Sequence, residues 1–375
     1  MAVPFARRTI LHHRRRFAAA LLGVIFAVVL ANLEVGILSG FMANAVVFIE
    51  RMPADVWVMA PSTPNFDMCH NIPESHAQRA GSAPGALWAE KMLVAWGAWQ
   101  TPGGTIENTE VVGLVPGGHL GIPWEISPAG AGLSDAPDGA IIDRTDRRRL
   151  QVDGPGDCAE LTGARVRVLG FTSGMRSFTT NPYVLMRYED AEKASRAVAG
   201  MTSYVLVKAA PGVSPEALRD AVRRELPEAD VLTAAEFGER TRNYWLFGTG
   251  VGSAFLLTAL LGFLVGGAIV WQVLHALVQD QRAEFGVLKA MGAGAAALLR
   301  IVGSQALIVA LAGGLAGEAL SLALAEAVRA SGSPILLDGA FSVATVVAAV
   351  LVCLAAAALP MVRVLRLEPA VVFRG

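Results

Sequence analysis

Apolar residues gather in four long runs, and one polar block separates the first from the rest. The first run extends from Phe17 to Ile49, interrupted by Asn32 and Glu34. The second has no Asp, Glu, Lys or Arg between Arg242 and Asp280. The third goes from Ile301 to Gly317 and continues past Glu318 to about Val328, and the fourth has no charge between Asp338 and Arg363. A helix crosses a bilayer with roughly 20 apolar residues, so the pattern predicts transmembrane helices over 17–49, 243–278, 298–328 and 340–362. At 1.5 Å per residue the first would be about 50 Å long. That exceeds the hydrocarbon core, so it is expected to project beyond the membrane or to tilt.

Residues 50–242 form a block large enough to bury its own core. Period-two alternation marks strands at Ala54–Met59, Val111–Val115 and Arg165–Leu169. Ser203–Val207 reads as another strand, followed by a Pro-Gly turn. Ser214 then caps a helix that opens on Pro215 and runs to about Leu226, before a strand at Val231–Thr233. The combination is a βαβ unit. Gly117–Gly156 is rich in Gly, Pro and Asp and looks loop-dominated. A helix from Ala234 to Asn243 is expected to run on into the second span. The expected fold class is an α-helical membrane protein with four transmembrane helices and an α+β extracytoplasmic domain inserted between helices 1 and 2. A tail (1–16), two loops (279–297 and 329–339) and a second tail (363–375) complete the chain.

Charge orients this plan. Arg7, Arg8, Arg14, Arg15 and Arg16 precede the first span, which predicts a cytoplasmic N-terminus. Four crossings return the C-terminus to the cytoplasm, in keeping with Arg363, Arg366 and Arg374. The 279–297 loop, with Arg282 and Lys289 in it and Arg300 just after it, falls on the same side, and the polar block falls outside. A cleaved signal peptide ending at Ala43-Asn44-Ala45 is the rival at the N-terminus. A retained helix accounts better for the run, because apolar residues continue past that site. Of 375 residues, 54% are hydrophobic and only 17% charged, too apolar for a soluble chain of this size. A net charge of −1 leaves no basic excess for a nucleic-acid partner.

Candidate chemistry is sparse. The chain has no G-x-x-x-x-G-K-[ST] phosphate loop. Cys69, His70 and His76 lie close in sequence but fit no familiar zinc spacing, so no metal is expected. Ser173, Asp143 and His119 make a triad only on paper, without a G-x-S-x-G motif, and no catalytic residue is assigned. Cys69 and Cys158 both fall in the polar block, where an oxidising compartment permits a disulfide; two free thiols are the alternative. Gly36/Gly40, Gly262/Gly266 and Gly313/Gly317 are spaced for close helix packing. Glu34 and Glu318 both fall roughly 25 Å above the cytoplasmic side of their spans. They either reach water at the outer interface or line a polar cavity through which an amphiphile leaves the outer leaflet.

The loop between the second and third spans is the most informative stretch. In Arg282–Gly294, Phe285, Leu288 and Met291 recur at helical spacing, Glu284 and Lys289 point elsewhere, and Gly292 and Gly294 suit a helix stop. The run Glu284, Gly286, Val287, Leu288, Lys289, Ala290, Met291, Gly292 resembles the E-x-G-V-L-K-A-M/L-G loop of FtsX-like, MacB-type ABC transporter permeases. The tail from Arg363 to Arg374, with Pro369-Ala370, is similar to that family's ending, and Ala54–Val58 after the first span resembles its DevC-like branch. The match covers the whole architecture except a fused ATPase. The resemblance implies an inner-membrane export permease, itself not an enzyme and carrying no cofactor. A separate cytoplasmic ATPase would hold ATP and Mg. A second permease copy, a periplasmic membrane-fusion adaptor and a membrane lipid or other amphiphile as cargo are the implied partners. Phe285, Leu288 and Met291 would fill a groove in the ATPase, with Glu284 and Lys289 setting orientation and Gly286 and Gly292 allowing close approach. The alternative in the same family is a mechanotransmission scaffold that controls a periplasmic enzyme or sensor without transport.

Overall fold

The computed structural model describes residues 14–129, 132–133, 136–179, 181–195, 197–330 and 334–365. The chain divides into two compact units, Met1–Gly40 with Val251–Gly375, and Phe41–Gly250. The C-terminal motif from Arg366 onward and the N-terminal arginines Arg7 and Arg8 lie outside the described residues.

The first unit holds four helices long and apolar enough to cross a membrane: Arg15–Ala45, Val251–Asp280, Ala295–Ala330 and Gly339–Val362. Their boundaries follow the apolar runs, and neither Pro360 in the last helix nor Gly313-Gly314 in the third ends its helix. One core joins all four, with Val24 and Val28 from the first span, Val270 and Leu274 from the second, Val302 and Val309 from the third, and Ala349 and Cys353 from the fourth. Small residues bring the backbones together. A Cβ on Gly266 would lie 2.7 Å from the Ala27 Cβ and 3.0 Å from the Gly23 carbonyl oxygen. On the third span, a Cβ on Gly313 or Gly317 would meet Val24 or Val28 at 2.7 and 2.9 Å. Gly40 packs on the backbone of Pro334, within 2.6 Å of where its Cβ would be. All three glycine pairs are therefore used within the chain, and those of the second and third spans both pack on the first.

The second unit is α/β. Its strands are β1 (Val56–Met59), β2 (Ile72–Pro73), β3 (Ala86–Gln100), β4 (Ile106–Leu114), β5 (Gly139–Asp143), β6 (Cys158–Leu161), β7 (Ala164–Thr172), β8 (Tyr183–Arg187), β9 (Met201–Thr202), β10 (Tyr204–Ala209) and β11 (Asp230–Thr233). The main sheet runs β11-β1-β10-β3-β4-β8-β5-β7-β6, and β6 also pairs with β3 through Trp99↔Leu161. The last six strands thus close on themselves as a small barrel, with β3 long enough to serve both halves. Alternate positions fill its interior, among them Leu93, Val111, Ile142, Val166 and Val184. Outside the barrel an aromatic core gathers Phe48, Trp57, Phe66, Tyr183, Tyr204 and Phe237.

The expected βαβ unit is present, in split form: β1 lies between β10 and β11 and is antiparallel to both. Its helix, Pro215–Glu225, opens as the residues dictate, with the Ser214 hydroxyl accepting from the Ala217 N–H at 3.2 Å. Thr233 and Glu236 form a reciprocal capping box that starts Ala234–Asn243. Within the loop-dominated Gly117–Gly156, Gly139–Asp143 is a buried central strand of the barrel. One expectation changes: the Ala234 helix does not continue into the second span. A π-helical turn at Tyr244–Gly248 and a left-handed Gly250 (φ 77°) interrupt it, so the second span starts at Val251.

Candidate functional site

The loop between the second and third spans folds as a helix, Arg282–Ala290, that hangs between the two long helices. Gln281 breaks the preceding span, and the Phe285 N–H donates to the Gln281 carbonyl at 2.9 Å. The far end closes as a Schellman motif. Ala293 N–H reaches the Leu288 carbonyl (2.9 Å) and Gly292 N–H the Lys289 carbonyl (3.1 Å), with Gly292 at φ 90°. Ala293 and Leu288 pack against the same core, which supplies the apolar contact the motif favours.

This helix has two faces. Phe285 is 1% exposed and sits in the core shared by the four spans, with Leu288 packed against it and Gly286 buried. Glu284, Val287 and Met291 are exposed, Met291 at 80%. They are three and four residues apart and so share one side of the helix. The structure therefore departs from the expected anchor. A large aromatic next to an apolar bundle gains more by burying itself there than by waiting for a partner. The outward surface belongs to Glu284, Val287 and Met291. Val287 was absent from the expected apolar face, although its spacing from Met291 was there to be read. Near the same ends of their spans, Arg16 forms an ion pair with Asp280.

The intramembrane acids have separate environments. Asn32 on the first span donates through Nδ2 to Glu318 Oε2 at 2.7 Å and to Ser321 Oγ at 3.2 Å, both on the third span. Ser321 in turn donates to the Gly317 carbonyl. Glu34 is two residues beyond Asn32, about 200° round the helix, and among the described residues no hydrogen bond joins it to Glu318. The two acids are not brought together. Asn32, which the sequence shows only as a polar interruption, is the residue that engages Glu318.

Two family models match this chain. The MacB-like periplasmic core domain covers residues 17–225, more than half of the chain. The FtsX-like permease C-terminal domain covers residues 256–369, including the loop helix and the third and fourth spans. The chain belongs to the FtsX-like, MacB-type family of ABC transporter permeases. An uncharacterized ABC transporter permease of Methanocaldococcus jannaschii is 23% identical over 182 residues, 47% of this chain and 44% of that protein. The match thus spans less than half of the relative's length. Among solved structures, the extracellular domain of the noncanonic ABC-type transporter YknZ from Gram-positive bacteria is 11% identical, with a TM-score of 0.37. That alignment covers 48% of this chain and 98% of the other. The periplasmic region of MacB from Actinobacillus actinomycetemcomitans is 10% identical, with a TM-score of 0.35 over 52% of this chain and 96% of the other. At these scores the likeness is too low to bear on the fold.

Cys69 and Cys158 are free thiols, the second of the two alternatives that the sequence leaves open. The Cys69 Sγ–H donates to the Val94 carbonyl of β3 at 3.4 Å, and burial pushes its pKa up to about 11. Cys158 is exposed on β6, where Arg165 Nη2 donates to its Sγ at 3.2 Å and holds the thiol below its usual range. Each sulfur is engaged at its own site, so neither is turned toward the other. His119 pairs with Glu90, whereas Asp143 accepts from Thr145 and from the Met175 N–H, so Ser173, Asp143 and His119 form no triad. His76 is bound to the Pro73 carbonyl and Glu228.

Proposed function

We propose that this permease is the membrane subunit of an ABC export system driven by a separate ATPase. The ATPase, carrying ATP and Mg, docks on the outward face made by Glu284, Val287 and Met291, with Lys289 and Glu284 setting orientation. Phe285 and Leu288 act on the other side, fixing the loop helix to the four-span core so that a push is passed to the spans rather than absorbed by a flexible loop. The loop helix lies in the cytoplasm, and the inserted domain lies in the periplasm of an inner-membrane protein. There it works with a membrane-fusion adaptor to move a lipid or other amphiphile outward. A second copy of the chain completes the transporter.

The observation that carries this reading is the two-sided loop helix: an aromatic buried in the bundle, and an apolar-acidic face left open opposite it. The test is co-purification of the ATPase and ATP-dependent export after Val287→Ser with Met291→Ser. Truncating apolar residues at the centre of an interface weakens association by about 2 kcal/mol or more, so both readouts should be lost while the permease still inserts. A double variant that binds and exports like the parent places the docking surface elsewhere.

A further inference from the structure

The third span carries a carboxyl that docking of an ATPase leaves without a role. Glu318 Oε2 accepts from Asn32 Nδ2 at 2.7 Å, and the same amide donates to Ser321 Oγ at 3.2 Å. Asn32 and Ser321 are fully buried, so this side of the carboxyl is fixed. Glu318 itself is only half-buried. Its other oxygen, Oε1, has no hydrogen-bond donor among the described residues and is open to the surface. One oxygen is held by the protein, and the other is offered outward.

Its depth and its neighbours point to a lipid. Glu318 lies about 27 Å along the helix from Arg300, close to the roughly 30 Å thickness of the hydrocarbon core. That is the level of the outer headgroups. Leu307, Leu311 and Leu315 recur every fourth residue below it and share its side of the helix. All three are exposed, Leu315 at 64%. From Leu307 to Glu318 the stripe is about 16 Å long, the depth of one leaflet. A carboxyl at the edge of hydrocarbon calls for a cation or a donor. The sequence has no Lys or Arg in 17–49, 243–279, 301–328 or 339–362. A second copy seated on this face would bring the same spans and hence no cation. Arg329, about 16 Å further along the helix, is engaged by Glu326 and the Ile335 carbonyl. The cation that fits is one carried by a lipid head.

We propose that Glu318 and the leucine stripe below it bind an outer-leaflet lipid with a primary-ammonium headgroup, the –NH3⁺ donating to Glu318 Oε1 and an acyl chain lying along Leu315, Leu311 and Leu307. The inference rests on the export reading and names the headgroup of the amphiphile that is moved. A primary ammonium fits because it brings a positive charge and three N–H donors. A trimethylammonium head keeps the charge but has no N–H to donate. A glycerol head has donors but no positive charge. The apolar stripe accepts any acyl chain, so selection falls on the headgroup.

The test is native mass spectrometry of the full-length permease in detergent, without ATPase, titrated with lipids of identical chains and different heads. The first phosphatidylethanolamine per chain should bind about fivefold more tightly than phosphatidylcholine or phosphatidylglycerol, the order of one charge-assisted hydrogen bond. Glu318→Gln keeps an oxygen for Asn32 and so should fold. It should bring phosphatidylethanolamine down to the level of phosphatidylcholine, whose own affinity should not move. Leu311→Ala with Leu315→Ala should weaken all three lipids. Glu326→Gln, which removes an acid already paired with Arg329, should change none of them. Equal affinity for phosphatidylethanolamine and phosphatidylcholine in the parent would overturn the proposal, and is what a second copy covering the stripe would produce. A preference that survives Glu318→Gln, or affinities unmoved by the leucine changes, would overturn it too. Co-purification of the ATPase tests the export reading separately, so failure of one is distinguishable from failure of the other.

Discussion

Asn32 of the first span donates a 2.7 Å hydrogen bond to the Glu318 carboxyl of the third. An acid inside a membrane span is costly unless it is paired or wet, and this bond ties the two helices at that depth. Asn32→Leu leaves Glu318 without its donor and should destabilise the four-span unit by about 1 kcal/mol. The partner change Glu318→Leu made in the same chain should recover part of that loss. The check is a double-mutant cycle on reversible unfolding in mixed micelles. Strictly additive single changes would show that the contact contributes nothing.

The glycines on the second and third spans yield a second prediction. Gly266 and Gly317 approach the first span where a Cβ would meet Ala27 or Val28 at 2.7 and 2.9 Å. Overfilling such a contact costs about 1–3 kcal/mol, so Gly266→Val and Gly317→Val should each lower the unfolding midpoint. Gly294→Ala, where nothing lies within 4 Å, should not. If the three variants behave alike, the close approach of these helices is not what the glycines are for.

The spans and the strands around the split βαβ unit were legible because their signals are local. Long uncharged runs, period-two alternation and a Ser-Pro helix start each sit within a few residues of the element they specify. The barrel closure was not legible, because β3 meets β6 through Trp99↔Leu161, a contact far apart in sequence. β5 was hidden for a related reason: Gly139–Asp143 is short, buried on both sides and set in a Gly- and Pro-rich context that reads as loop. In the loop helix, period alone identified an amphipathic segment but not which neighbour its apolar side faces. Phe285 turns inward because a packed bundle lies beside it, and that neighbour comes from three other segments. The buried Asp67–Glu110 carboxyl pair of the inserted domain is equally non-local, since only the sheet register sets Glu110 between Trp96 and Tyr183.

The cysteines should separate by reactivity. The Arg165 guanidinium lowers the pKa of the exposed Cys158 thiol, whereas burial raises that of Cys69 to about 11. The thiolate is the reactive form. Iodoacetamide near neutral pH should therefore modify Cys158 first, and Cys69 should react only after unfolding. Peptide mapping under non-reducing conditions reads both this order and the absence of a Cys69–Cys158 bond. Recovery of the two as one crosslinked peptide would contradict the free-thiol arrangement.

The Asp67–Glu110 carboxyl pair should appear in stability against pH. Glu110 has a folded-state pKa of about 9 against an ordinary value of 4.5, so the folded domain binds this proton more tightly than the unfolded chain. Stability falls with rising pH wherever the folded state holds more protons. For Glu110 that window opens near its unfolded value and closes near 9, the reverse of a salt-bridged carboxylate. Asp146, raised to about 7 by burial and by the Asp143 charge, has the same sign, but its window closes near neutrality. Between 7 and 9 Asp146 has dropped out and Glu110 still contributes, while Cys158, lowered from 9 by Arg165, acts there with the opposite sign and is replaced by Ser in the measured chains. There the parent should lose stability with a slope of up to about 1.4 kcal/mol per pH unit. Glu110→Gln, which keeps a neutral donor on Asp67, should remove most of that slope, while Asp146→Asn should leave it in place. The measurement is the thermal midpoint of the full-length permease followed by tryptophan fluorescence across that interval. An unchanged slope in Glu110→Gln would mean that Asp67 and Glu110 do not share a proton in the folded domain.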